Sequence, residues 1–163
     1  METIGLRYFN VFGRRQDPEG AYAAAIPKFI KAFIAGKSPV IYGDGTQTRD
    51  FTYIENVIQA NQLAALTELP QAANQVYNVA YGESSNLNEL VQLLKELLIK
   101  FDSAIKDIFV EYGTERVGDI KHSLASIEKA KELLEYRPEY NFENGLKEAI
   151  KWYWESLKIE LAG

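Results

Sequence analysis

The chain has 163 residues, enough for one domain of ordinary size. With 18 Lys and Arg against 23 Asp and Glu, its formal charge is −5, which argues against a duplex nucleic-acid binder, because such proteins need excess basic charge to displace counterions. Cysteine is absent and His122 is the single histidine, so disulfide scaffolds, thiol nucleophiles, zinc–thiolate sites and two-histidine mechanisms are excluded.

Residues 4–12 are dense in β-branched and aromatic side chains and stop at Gly13, which predicts a buried strand. Residues 14–20 are polar and read as a loop. Ile26, Phe29, Ile30, Phe33 and Ile34 recur at helical spacing, with Pro27 suited to a first turn and Gly36 to an end. Residues 39–42 are a short strand candidate, and Gly43-Asp44-Gly45 marks a tight turn. Residues 51–54 read as extended, 55–66 as an alanine-rich helix, and 75–80 alternate like a strand.

Asn86 and Glu89 have the spacing of a capping box, in which each side chain satisfies a free amide of the other residue. Behind them Leu87, Leu90, Val91, Leu94, Leu97 and Leu98 form an apolar helical stripe. Residues 108–112 predict a strand, and 126–135 and 142–160 the last two helices. The last helix carries Trp152, Tyr153 and Trp154, which on a helix read as core or interface. The pattern is α/β with few strands, too few for one large sheet, and so fits part of a larger α/β protein. No apolar run approaches the roughly 20 residues of a membrane span, and the start lacks the features of a signal peptide, so a cytoplasmic setting with no membrane partner is expected.

Searches for chemistry return little. HExxH, GxSxG, an EF-hand loop and a G-x-G-x-x-G turn are all missing. Gly36-Lys37-Ser38 resembles the tail of a phosphate loop, but Lys31 stands where its first glycine belongs. Two stretches remain. Residues 42–51, YGDGTQTRDF, lead a glycine turn into Arg49 beside Asp50. Locally this reads as a surface turn with an Arg–Asp pair; the alternative is a guanidinium presented to phosphate oxygens. Residues 116–123, RVGDIKHS, place Arg116 and Asp119 around Gly118. They read either as a local turn or as a diphosphate-neutralising arginine with a ribose-binding aspartate. His122 by itself reads as a hydrogen-bonded structural residue.

Taken in order, GLRYFNVFG (5–13), Ile26-Pro27-Lys28, YGDGTQTRDF and RVGDIKHS resemble the extended short-chain dehydrogenase/reductase family, and within it the UDP-N-acetylglucosamine and UDP-glucose 4-epimerases. The resemblance implies the C-terminal, substrate-binding part of an extended Rossmann-type epimerase, an incomplete fold of short strands and helices. Residues 1–20 correspond to a late Rossmann strand and loop, and 21–163 to the nucleotide-sugar domain. Met1 then corresponds to an internal position of a longer protein. The resemblance also implies that Asn10 contacts the sugar diphosphate. Ala25, Ile26 and Lys28 lie along the nucleotide, and Tyr42 belongs to a strand whose backbone reads uracil. Arg49 and Arg116 bind phosphate, Asp119 binds ribose, and Ser123 leaves room for an N-acetyl group. Tyr8 and Phe9 fall near the nicotinamide of NAD.

In the full-length family, NAD takes a hydride from C4 of the sugar and returns it to the other face, while a tyrosine of a Tyr-x-x-x-Lys pair handles the hydroxyl proton. None of the ten tyrosines here has a lysine four residues later. The resemblance therefore implies no catalytic residue in this chain, no NAD bound by it alone, a UDP-sugar as partner and no activity alone. A related dehydratase or UDP-glucuronate decarboxylase is the alternative within the family. A non-enzymatic module that self-associates through apolar surface is the alternative outside it.

Overall fold

The computed structural model describes residues 1–19 and 25–162. Gly20, where the expected loop 14–20 ends, and the expected boundary between 20 and 21 lie outside the described residues. The elements in chain order are β1 (Ile4–Tyr8), β2 (Val11–Phe12), α1 (Ala25–Ile34), β3 (Val40–Tyr42), β4 (Thr48–Arg49), β5 (Thr52–Tyr53) and α2 (Ile54–Leu66). They continue with β6 (Gln75–Val79), β7 (Ser85–Asn86), α3 (Leu87–Leu98), β8 (Glu111–Gly113), α4 (Glu128–Leu133) and α5 (Phe142–Ala162). Among the described residues the strands form four two-stranded ladders: β1–β6, β2–β5 and β3–β8 are parallel, and β4–β7 is antiparallel. Parallel neighbours far apart in sequence are the mark of an α/β fold, in which helices carry the chain between strands.

Two cores result. In the first, α1, α3 and α5 pack their apolar faces together around Ile30, Leu90, Leu94, Leu98, Leu146 and Ile150, each at most 1% exposed. Phe12, Phe51, Tyr53, Tyr140 and Phe142 add an aromatic cluster, with Phe51 and Phe142 stacked at 4.9 Å. Gly145 lets α5 sit directly on this cluster, since a Cβ there would stand 2.7 Å from Cβ of Tyr53. The second core gathers β1, β6, α2 and α4 around Val57, Ala60, Tyr77, Val79, Ala130 and Tyr136. The buried hydroxyls of Tyr77 and Tyr136 donate to the carbonyls of Ala72 and Ala80.

Local signals hold where they are self-contained. The Asn86–Glu89 capping box forms in both directions, at 2.8 and 3.0 Å. Gly36 takes a φ of +67° and closes α1 with paired bonds, Gly36 N–H to Phe33 O and Lys37 N–H to Ala32 O, which is the Schellman pattern. Trp152 and Trp154 pack against the first core as half-buried side chains.

Three expectations need correction. The stretch 4–12 is two strands, because Asn10 adopts a φ of +36° and breaks the run. It is also only half-buried at Ile4 and Leu6 and exposed at Arg7 and Tyr8; among the described residues β6 is the only strand paired to β1. The strand expected over 108–112 begins at Glu111, where pairing with Val40 starts; Ile108 O instead accepts from Lys95 Nζ. The helix expected over 126–135 spans Glu128–Leu133 and ends before Glu135, which has a φ of +57°.

Candidate functional site

The turn after β3 is built from its own sequence. Gly43 and Gly45 take φ values of +88° and +78°, which suit residues without a Cβ. Between them the Asp44 carboxylate accepts from the amide and the hydroxyl of Thr46, and these bonds hold its pKa below the usual value. The turn delivers the chain to β4, where Arg49 points across to a distant segment.

Arg49 Nη2 lies 2.6 Å from Asp119 Oδ1, and its Nη1 donates to the carbonyls of Thr48 and Ile120. The Arg49 side chain is only 17% exposed, so this pair is far less solvated than an ordinary surface ion pair. The expected surface pairing of Arg49 with Asp50 is thus corrected, since Arg49 takes Asp119 as its acid and Asp50 is fully buried. The segment carrying Asp119 is fixed at both ends. Upstream, β8 pairs with β3. Downstream, Thr48 N–H donates to Lys121 O and Ser123 N–H to Thr48 O, with Thr48 Oγ1 3.3 Å from His122 Nδ1. Between these ties, residues 116–119 form a turn closed by Asp119 N–H to Arg116 O, with Gly118 at a φ of +82°. The turn lays the Arg116 guanidinium over the Tyr42 ring, 4.0 Å from its centroid.

These groups border one cavity of about 480 Å³. Its polar wall includes Asn10, Lys28, Arg49, Arg116 and Asp119, three cations against one acid. Its apolar wall includes Phe12, Ala25, Ile26, Phe29, Val40 and Phe51, with Tyr42 alongside. Asn10 is held to the site by a bond from its Nδ2 to Asp50 O. Arg49 and Arg116 are 67 positions apart in sequence, yet the fold brings both to this one space together with Asn10, Ala25, Ile26, Lys28, Tyr42 and Asp119.

Three nominated residues do not border it. Ser123 is engaged through its backbone with Thr48. Tyr8 is exposed and donates to Asn61 Oδ1, and Phe9 packs against the second core. Sequence reasoning left out Phe12, Phe29, Phe51 and Gln47, which also line the cavity. The phenylalanines were visible only as apolar residues, and which of them face a cavity depends on contacts between distant elements. A second space of about 160 Å³ adjoins through the shared residues Gln47 and Asp119.

The family model described as NAD dependent epimerase/dehydratase matches residues 1–80. The putative UDP-glucose 4-epimerase of Methanocaldococcus jannaschii is 36% identical over 93% of this chain and 46% of its own length. The UDP-N-acetyl-alpha-D-glucosaminuronate decarboxylase of Bacillus cytotoxicus is 31% identical over 92% of this chain and 46% of its own. Among solved structures, the UDP-N-acetylglucosamine 4-epimerase of Methanobrevibacter ruminantium, in complex with UDP-N-acetylmuramic acid, is 45% identical with a TM-score of 0.84, covering 95% of this chain and 47% of that one.

The chain belongs to the NAD-dependent epimerase/dehydratase family. It spans about half the length of the curated relatives it matches. Its fold is a partial one by comparison with these Rossmann-type structures. The sequence has no G-x-G-x-x-G turn, and of the two aromatics nominated for the nicotinamide Tyr8 donates to Asn61 and Phe9 packs against the second core. Among the described residues, no helix is long and apolar enough to cross a membrane.

Proposed function

We propose that this chain is the nucleotide-sugar-binding portion of a UDP-sugar 4-epimerase and that its own share of the work is to grip a UDP-sugar. Arg49, Arg116 and Lys28 neutralise the diphosphate, with the planar guanidinium forks suited to pairs of phosphate oxygens. Asp119 accepts from the ribose diol, and Asn10 donates to the diphosphate. The backbone of residues 40–42 meets the uracil edge, while Ala25 and Ile26 pack against the nucleoside. Ser123, which does not border the cavity, has no part in this grip. The redox chemistry of the family belongs to NAD, and no residue here is assigned a catalytic role. Residues 1–20 serve as the late Rossmann strand and its loop, and 21–163 as the nucleotide-sugar domain. The reading includes a cytoplasmic setting and no turnover by this chain alone.

The observation that carries the reading is the convergence of Arg49, Arg116 and Asp119 on one cavity. Calorimetry tests it. UDP binding is expected, with uridine binding much more weakly, and Arg49→Ala is expected to lower UDP affinity at least tenfold, since a charge-assisted bond is worth roughly 1.5–3 kcal/mol. Equal binding of uridine and UDP would contradict it. The decarboxylase reading rests on the Bacillus relative. It predicts tighter binding of a uronic-acid nucleotide sugar than of UDP-N-acetylglucosamine, and an epimerase of UDP-N-acetylglucosamine or UDP-glucose predicts the reverse.

A further inference from the structure

Asp50 stands between two cavity residues, Arg49 and Phe51, yet does not border the cavity itself. It is 0% exposed. Its Oδ1 accepts from the amides of Tyr81 and Gly82, at 3.1 and 3.3 Å, and its Oδ2 accepts from Gly82 at 3.1 Å and Ala125 at 3.3 Å. Its backbone oxygen accepts from Asn10 Nδ2. Among the described residues no lysine, arginine or histidine forms an ion pair with it. The carboxylate is thus solvated by three backbone N–H groups from two separate segments.

One of those segments is the continuation of the chain that carries Asp119. Residues 119–125 run alongside 48–50 through a series of bonds: Asp119 to Arg49, Lys121 and Ser123 to Thr48, and Ala125 to Asp50. Within this series the bond at Asp50 is the fully buried one, while those nearer Asp119 are partly exposed. An acceptor-only group is required at this place, because an asparagine would turn an NH₂ toward an amide N–H that needs an acceptor. A residue that merely filled space would not need to be charged.

We propose that Asp50 is a positioning residue of the cavity: its carboxylate fixes the segment bearing Asp119 against the strand bearing Arg49, and it holds their mutual alignment before any ligand arrives. Its consequence for binding rests on the nucleoside-diphosphate reading above; the anchoring itself does not.

The test uses the full 163-residue chain and amide NMR. In the wild-type protein the signals of Tyr81, Gly82, Ala125 and the Arg49 Nε–H are expected to shift together on acid titration with one midpoint. Burial sets that midpoint above the ordinary carboxylate value. Among the described residues Glu83 and Tyr136 also couple to Asp50 and Asp119 pairs with Arg49, and Asp50→Asn separates Asp50 from all three by abolishing the shared midpoint. In Asp50→Asn, exchange at the Ser123 and Ala125 amides is expected to rise roughly tenfold while α3 stays within about twofold. UDP affinity is expected to fall roughly tenfold, and that fall to vanish in an Arg49→Ala background, since coupled residues are not additive. Independent titration of the four signals, or unchanged exchange at Ser123 and Ala125, would overturn the proposal. If Asp50→Asn does not fold, the wild-type titration still decides. If the anchoring holds but wild type ignores UDP, the functional reading fails and the anchoring stands.

Discussion

The two cores differ in how completely they are closed. The first is enclosed by three helices and an aromatic cluster, and it presents its cavity between α1 and β3. The second rests on a two-stranded ladder, beside which Tyr8, Val76, Leu66 and Leu69 are exposed at 49%, 53%, 78% and 42%. A two-stranded ladder is marginal by itself, and its free edge presents unpaired backbone groups. The cavity-lining side chains stand beside the first core, while Ala125 of the second core ties down Asp50 next to them, and none of the cavity cations lies on the open ladder. The chain order hides this, since it crosses from one core to the other several times.

That contrast can be broken by substitution. Leu94→Ala, in the closed core, is expected to cost near the top of the roughly 2–5 kcal/mol range for such truncations. Leu134→Ala, in the open core, is expected near its lower end, because an open core collapses more fully around a void. Urea denaturation of both variants measures the gap, and equal losses would remove the distinction. Gly145→Val is expected to cost about 1–3 kcal/mol by forcing α5 off Tyr53 and Phe12, read from the same curves.

Smaller effects belong to the open face. Self-association that rises with concentration is expected in light scattering, and Val76→Lys is expected to reduce it while leaving the melting temperature within a few degrees. A concentration-independent monomer would show that the exposed face is inert. The smallest effect is alkaline. Burial raises the pKa values of Tyr136 and Tyr153, whose hydroxyls donate to buried carbonyls. The folded state therefore keeps protons that the unfolded chain releases, and stability falls as pH rises above the ordinary tyrosine value of 10. Tyr153→Phe should flatten that decline in thermal melts above pH 10.

What was legible in the sequence was what is local or carried by the family likeness. The Asn86–Glu89 box and the Gly36 cap need only neighbours three to five residues away, so their spacing was enough. Arg49, Arg116 and Asp119 were singled out by their glycine-flanked motifs, though local pattern favoured a plain turn for each. Asp50 was visible only as the partner of its neighbour. Its actual partners, Tyr81, Gly82 and Ala125, lie 31 to 75 positions away, and nothing in the local pattern announces them. The break at Asn10 was likewise hidden inside a run of strand-forming residues, although asparagine tolerates a positive φ better than most, and its side chain there bonds Asp50 O.

Mapping amide chemical shifts during a UDP titration of the whole chain tests the convergence most directly. Perturbations are expected at Asn10, Lys28, Tyr42, Arg49, Arg116 and Asp119 together, saturating with a single affinity, while β1 stays unmoved. Perturbations confined to β1 and α2, or none at saturating UDP, would contradict a nucleotide site in this cavity.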